Sequence, residues 1–122
     1  MITPEELWAE ALLHCERAQT IEATEAARRL AIAAFYYATY HFTGRAVSLD
    51  TSASDSNHER LLQLLKHSRE VHMRRAAQRY DGLKLLRVKS HYHLRLQIGA
   101  QELLVARNHA RAVRALVRLE PA

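Results

Sequence analysis

The stretch that decides the fold covers residues 30–38 and reads Leu-Ala-Ile-Ala-Ala-Phe-Tyr-Tyr-Ala. It lies in a longer segment, residues 21–47, that is nearly apolar on all sides after Arg29. A helix on the surface of a globular protein keeps one polar face, whereas a helix that is apolar all round is buried among others. We therefore predict that this segment forms the central helix of a bundle, with Tyr36 and Tyr37 in the core.

The flanking sequence predicts further helices. Thr3-Pro4-Glu5-Glu6 is a strong helix start, because Thr3 can cap, Pro4 suits the first helical position and Glu6 completes a capping box. Apolar spacing then predicts helices over residues 4–18, 21–47, about 57–68, 71–90 with a possible kink at Asp81-Gly82, and 100–119. Residues 48–57 and 91–99 are predicted to be loops. We expect an all-α fold, a four-to-five-helix up-and-down bundle, in one domain over residues 1–122.

Composition restricts the environment of the protein. The chain has 122 residues, of which 48% are hydrophobic and 25% charged, as in an ordinary globular domain. The single cysteine, Cys15, cannot form an intramolecular disulfide, so we expect it to pack in a cytoplasmic, reducing environment. No apolar stretch approaches the roughly 18 residues that span a bilayer, and the N-terminus lacks the basic region of a signal peptide. Neither membrane insertion nor secretion is expected.

The charge is distributed unevenly along the chain. Residues 1–56 carry four Lys/Arg against eight Asp/Glu, giving −4, while residues 57–122 carry fourteen against five, giving +9. Six of the eight histidines also fall in the second part. Such polarisation is typical of a protein that binds a polyanion, although solubility alone also accounts for it.

Two short motifs suggest a family. Residues 86–94 read Leu-Arg-Val-Lys-Ser-His-Tyr-His-Leu, and residues 27–41 contain Ala-Phe-Tyr-Tyr-Ala-Thr-Tyr-His. Together they resemble the HEPN superfamily, whose members often carry a similar aromatic stretch on the second helix. Many also carry an Arg followed, after four to six residues, by a His near the end of the fourth helix. The resemblance extends from about residue 7 to residue 119 and implies a HEPN-like bundle.

The resemblance also implies an activity. In HEPN ribonucleases the Arg and His are the functional pair, and a homodimer brings two pairs together at a shared cleft. Carried over, the pair is Arg87 and His93, with His91 as an alternative base whose three-residue separation lies outside the family pattern. RNA cleavage by its own 2′-hydroxyl needs a base and a cation, which His and Arg supply without a metal or other cofactor. Val88 departs from the polar residue usual after the Arg, and a merely solvated helix end is the simpler alternative.

Basic residues outside this pair are candidates for RNA binding. On the last helix four arginines share one face, while Val105, His109, Val113 and Leu116 lie on the opposite side. A solvated helix face accounts for the same pattern. The predicted RNA-binding residues are Lys89, Arg95, Arg107, Arg111, Arg114 and Arg118.

Several functions therefore stay open. The first is a HEPN endoribonuclease, for example a toxin or defence component with a cognate antitoxin. The second is a non-catalytic HEPN module that binds RNA, a nucleotide or a nucleotidyltransferase-type partner, and the third is a bundle that only mediates assembly. We predict no metal, because the histidines near the motif (His67, His72, His91 and His93) lack a carboxylate or cysteine at matching spacing.

Overall fold

Five α-helices make up most of the chain in the computed structural model, which describes residues 2–20, 22–52 and 57–118. They are α1 (Pro4–Ala18), α2 (Glu25–Ala46), α3 (Asn57–Lys66), α4 (Val71–Tyr92) and α5 (Ala100–Val117). These ranges contain no strand, so the prediction of an all-α helical bundle is confirmed. None of the helices described is both long and apolar enough to pass through a lipid bilayer.

The central position predicted for the apolar segment is confirmed. α2 packs against α1, α3, α4 and α5. Ile32 and Phe35 are completely buried, and the Phe35 ring lies 5.8 Å from the ring of Trp8 on α1. Burying a side chain of this size contributes about 2–3 kcal/mol relative to leaving it in water. The core therefore surrounds α2.

Two threonines set the first helix starts. The Thr3 hydroxyl accepts a hydrogen bond from the Glu6 N–H at 3.1 Å, as the capping box predicted. The Thr24 hydroxyl accepts one from the Ala27 N–H at the same distance, so α2 begins at Glu25. The predicted start near residue 21 was therefore too early, because Thr24 satisfies the first free N–H groups of the helix.

The fourth helix continues through Asp81-Gly82, as its apolar spacing predicted. The imidazole of His109 on α5 occupies the space beside Gly82. A Cβ at residue 82 would lie 2.7 Å from His109 Nε2, so the glycine permits a close approach between α4 and α5. α4 also includes His91 and Tyr92, which we had predicted in the loop; the loop covers residues 93–99.

The last helix buries a different face from the one predicted. Its buried residues are Leu103, Ala106, Ala110, Val113 and Val117. Val113 is the only completely buried member of the predicted apolar side, and the other three, including His109, are half-buried at its edge. Ala106 and Ala110 explain why this face is buried, because their small side chains let α5 approach its neighbours closely.

Arg29 ties the end of α4 to α2. Its side chain is buried, with 8% of the residue exposed. Nη1 donates to the carbonyls of Ser90 at 2.8 Å and Lys89 at 3.3 Å, and Nη2 donates to those of His93 at 3.3 Å and Leu96. The last carbonyls of a helix lack hydrogen-bond partners and carry partial negative charge. A guanidinium donates hydrogen bonds to these carbonyls, and its positive charge is favourable there. This contact holds the last turn of α4 and the following loop against α2.

Replacing Arg29 with Met keeps the apolar stem but removes the guanidinium hydrogen bonds to these carbonyls. We expect the free energy of unfolding to fall by about 3 kcal/mol, since hydrogen bonds to charged groups are strong and the carbonyls of Ser90 and Leu96 would lose this donor. Urea denaturation measures this loss. The matched control is Arg17→Met on the exposed surface of α1, which should change stability by less than about 0.5 kcal/mol. Equal stability of the two variants would contradict the role of Arg29.

Candidate functional site

A groove of about 440 Å³ lies where α1, α2, α3 and α4 face one another. We call it the Arg87 groove. The part of the groove formed by α2 is mostly apolar. Three histidines, each from a different one of the other helices, and one arginine line the rest of it. The lining residues are His14, Leu30, Ala33, Ala34, Tyr36, Tyr37, His58, Arg87 and His91.

Arg87 enters the groove because of its position on α4. It follows the buried residues Ala76, Tyr80 and Leu83 at helical spacing, so it continues the stripe of α4 that faces the core. Its guanidinium lies 5.1 Å from the centre of the Tyr36 ring, a cation–π contact. A cation is thereby held half-buried at the place where the core opens to solvent.

His91 follows Arg87 by one helical turn and lines the same groove. Partial burial lowers the pKa of His91, and the positive charge of Arg87 lowers it further. The neutral imidazole is therefore favoured at neutral pH. A neutral imidazole beside a fixed cation is able to accept a proton next to a group that binds phosphate.

Tyr36 connects Arg87 to a second histidine. Its hydroxyl accepts a hydrogen bond from the buried Tyr80 hydroxyl at 3.2 Å and is hydrogen-bonded to Nδ1 of His58 at 2.9 Å. The His58 ring also stacks on Tyr40 with centroids 3.8 Å apart. Burial raises the pKa of Tyr36, so its phenol stays protonated. These contacts fix the position of the imidazole at the groove wall.

His93 does not line the Arg87 groove. It is the residue that ends α4, its carbonyl accepts from Arg29, and it lines a separate surface pocket with Tyr92, Leu94, Arg95 and Leu96. The structure thus brings Arg87 together with His91 in the groove and places His93 at another pocket. The assignment of Arg87 and His93 as a catalytic pair stays a prediction.

The other predicted RNA-binding residues lie outside the groove. Lys89 is half-buried and lies 3.8 Å from Glu102, whereas Arg95 is exposed on the loop. Arg114 lies over the rings of Trp8 and Phe42, at 4.9 and 5.2 Å from their centroids, and Arg118 also lies over Phe42. Phe42 lies about 140° around the axis of α2 from the groove residue Tyr37, so these two arginines contact a different face of α2 from the one that lines the groove. Arg107 and Arg111 belong to the same face of α5, with Arg107 half-buried and Arg111 exposed.

Sequence reasoning missed two histidines of the groove. His14 and His58 come from α1 and α3, and no spacing relates them to the motif on α4. Tyr36 is 3% exposed, as predicted, but Tyr37 is 53% exposed, so its assignment to the core was wrong. The helical turn of about 100° between neighbours places these two tyrosines on different faces of α2. An apolar run by itself gave no indication of which face would stay open.

The described ranges contain no group of three or more His, Cys, Asp or Glu side chains arranged to hold a metal ion. Other histidines and the cysteine have packing contacts. His109 lies between α4 and α5 with Nδ1 3.3 Å from Arg79 Nη1, and His41 is hydrogen-bonded to Thr51. Cys15 is buried, and burial raises the pKa of its thiol. The polar groups that line the groove are imidazole, guanidinium and phenol groups.

Removing the charge of Arg87 should change the titration of His91. In Arg87→Gln we expect the pKa of His91 to rise toward 6.5 and to stay below it, because burial remains. NMR titration of the imidazole signals measures this change. Arg79→Gln is the control, since Arg79 lowers the pKa of His109 and should leave His91 unchanged. An unchanged pKa of His91 in Arg87→Gln would show that the two side chains do not interact.

Comparison with known proteins identifies no relative. No family model matches the chain, and no curated protein or solved structure matches it significantly. The HEPN resemblance therefore rests on the two sequence motifs alone.

Proposed function

We propose that this protein is a metal-independent endoribonuclease of HEPN type. The observation that carries the proposal is the presence of Arg87 and His91 in one groove, next to a second fixed histidine. The net charge of +5 and the excess of positive charge after residue 57 support a polyanionic substrate. The groove then supplies the chemistry, and basic residues around it supply affinity.

The reaction would use the RNA's own 2′-hydroxyl. His91 accepts the hydroxyl proton, the 2′-oxygen attacks the adjacent phosphorus, and Arg87 stabilises the negative charge that builds on the phosphorane. We assign His91 as the base because the groove and the adjacent cation favour its neutral form. His93 is the alternative base, as the family pattern implies. The products would be a 2′,3′-cyclic phosphate and a free 5′-hydroxyl.

A homodimer would complete the cleft. Leu30, Ala33, Ala34 and Tyr37 form an apolar strip along α2, of which Leu30 is 63% exposed. A central helix of a bundle does not normally show such a strip to water, and an exposed apolar patch often marks an interface. Because the strip lines the groove, a twofold contact through it would bring the Arg87 and His91 of two protomers together.

The remaining basic residues would hold RNA outside the cleft. Lys89 and Arg95 lie near the end of α4, and the arginines of α5 would contact phosphates farther along the chain, adding salt-dependent affinity. A ribonuclease of this kind would act as a toxin or defence component controlled by a cognate antitoxin. The alternative is a non-catalytic module that binds RNA, a nucleotide or a nucleotidyltransferase-type partner. Val88 favours that alternative, because HEPN nucleases usually have a polar residue there.

Cleavage of labelled single-stranded RNA and transfer RNA in EDTA tests the proposal. We expect the wild type to cleave and to leave 2′,3′-cyclic phosphate ends. Arg87→Ala and His91→Ala should each lower the rate by about 100-fold or more, the usual cost of removing a transition-state cation or a general base. His93→Ala should then have a small effect.

The control for this assay is Arg75→Ala, which removes an exposed arginine from the same helix and should leave the rate unchanged. If His93→Ala lowered the cleavage rate more than His91→Ala did, His93 and not His91 would be the general base. A wild type that binds RNA but does not cleave it would favour the non-catalytic module.

The dimer is tested separately by light scattering during size-exclusion chromatography. Leu30→Glu should weaken association by at least about tenfold, since the contact would bury an unpaired carboxylate. The control is Leu85→Glu, because Leu85 is also 63% exposed but does not line the groove. Dimers of equal stability in both variants would place the interface elsewhere.

A further inference from the structure

His58 enters the Arg87 groove from α3, whereas His91 enters it from α4. His58 occupies the first turn of its helix, and α3 packs against both α2 and α4. The groove therefore holds two imidazoles on separate elements, with Arg87 in the same cavity. Two such groups are what a transesterification requires, because one proton must be removed and another must be delivered.

Three tyrosines determine the position of His58. The Tyr36 hydroxyl is hydrogen-bonded to His58 Nδ1 at 2.9 Å and is itself held by the buried hydroxyl of Tyr80. The His58 ring is nearly parallel to Tyr40, at 14°, with the centroids 3.8 Å apart. A ring that is held by a hydrogen bond and by stacking on a neighbouring ring has little freedom to turn. Such preorganisation is common for a side chain that must deliver a proton to one atom.

The two histidines have different electrostatic surroundings. The His58 ring lies against the face of Tyr40, and the negative π face of a tyrosine stabilises a cation. The cation of Arg87 disfavours a positive charge on His91. An imidazole stacked on a tyrosine is suited to the role of acid, and an imidazole that is kept neutral is suited to the role of base.

We infer that His58 is the general acid of the groove and that Tyr36 is its positioning residue, an inference that rests on the proposed ribonuclease function. As His91 takes the 2′-hydroxyl proton, the bond between the 2′-oxygen and phosphorus forms and the bond between phosphorus and the 5′-oxygen breaks. The imidazolium of His58 gives its proton to the departing 5′-oxygen. Afterwards His91 is protonated and His58 is neutral, so the proton count balances.

A comparison of two leaving groups distinguishes a general acid from a residue that only supports the structure of the groove. A 3′,5′-dinucleotide expels an alkoxide that needs a proton, whereas a nucleoside 3′-(4-nitrophenyl phosphate) expels a phenolate that does not. We expect His58→Gln to slow dinucleotide cleavage by about 100-fold or more, but to slow release of 4-nitrophenolate by less than about threefold. His91→Gln should slow both reactions. Tyr36→Phe should reproduce the selectivity of His58→Gln with a smaller loss.

His67→Gln is the matched control, since His67 is an exposed histidine of the loop directly after α3 and should leave both rates unchanged. Equal loss on both substrates in His58→Gln and Tyr36→Phe would overturn the inference, because it would show damage to the groove. An active wild type with unchanged dinucleotide cleavage in His58→Gln would overturn the inference alone. A wild type that cleaves neither substrate nor RNA would overturn the proposed function and the inference with it.

Discussion

The arrangement of this protein depends on the guanidinium of Arg29. A buried cation is unfavourable unless it is fully hydrogen-bonded, and Arg29 reaches carbonyls of both the last turn of α4 and the following loop. Glu25 adds a second link, because it lies 3.6 Å from Arg29 and accepts a hydrogen bond from the Ile98 N–H. The end of α4 is thereby fixed against the start of α2, and Arg87 and His91 lie in the last two turns of that helix.

The groove follows from one polar residue at a core position. Ala76, Tyr80 and Leu83 seal α4 against the bundle, and the next residue of the stripe is Arg87. A guanidinium cannot be closed into an apolar core without partners, so it lies over the Tyr36 ring at the edge of the core. The neighbouring face of α2 stays exposed there. An opening in the core and a fixed cation thus have the same origin.

The sequence predicted the number and order of the helices and the central position of α2, but not the contacts between residues far apart in the chain. Thr3 predicts the start of α1, and the apolar run of α2 predicts the centre of the bundle. Helix caps and buried helices can both be read from residues that are neighbours in the sequence. Arg29 bonds to carbonyls that are 60 to 67 residues away, and a carbonyl has no side-chain signature. The motif on α4 indicated Arg87 and His93, with His91 as the alternative base, and nothing in it pointed to His58, which the packing of α3 brings into the same groove as Arg87 and His91.

Net charge is a poor guide to where a polyanion would bind. Part of the positive charge after residue 57 is already engaged, since Lys84 pairs with Glu59 at 3.2 Å and Arg114 lies over two aromatic rings. Surface pairs of this kind are weak, and phosphates compete with them readily. Such residues contribute general affinity. Arg87 differs because it lines one groove together with His58 and His91, so selectivity for a particular phosphate has to arise there.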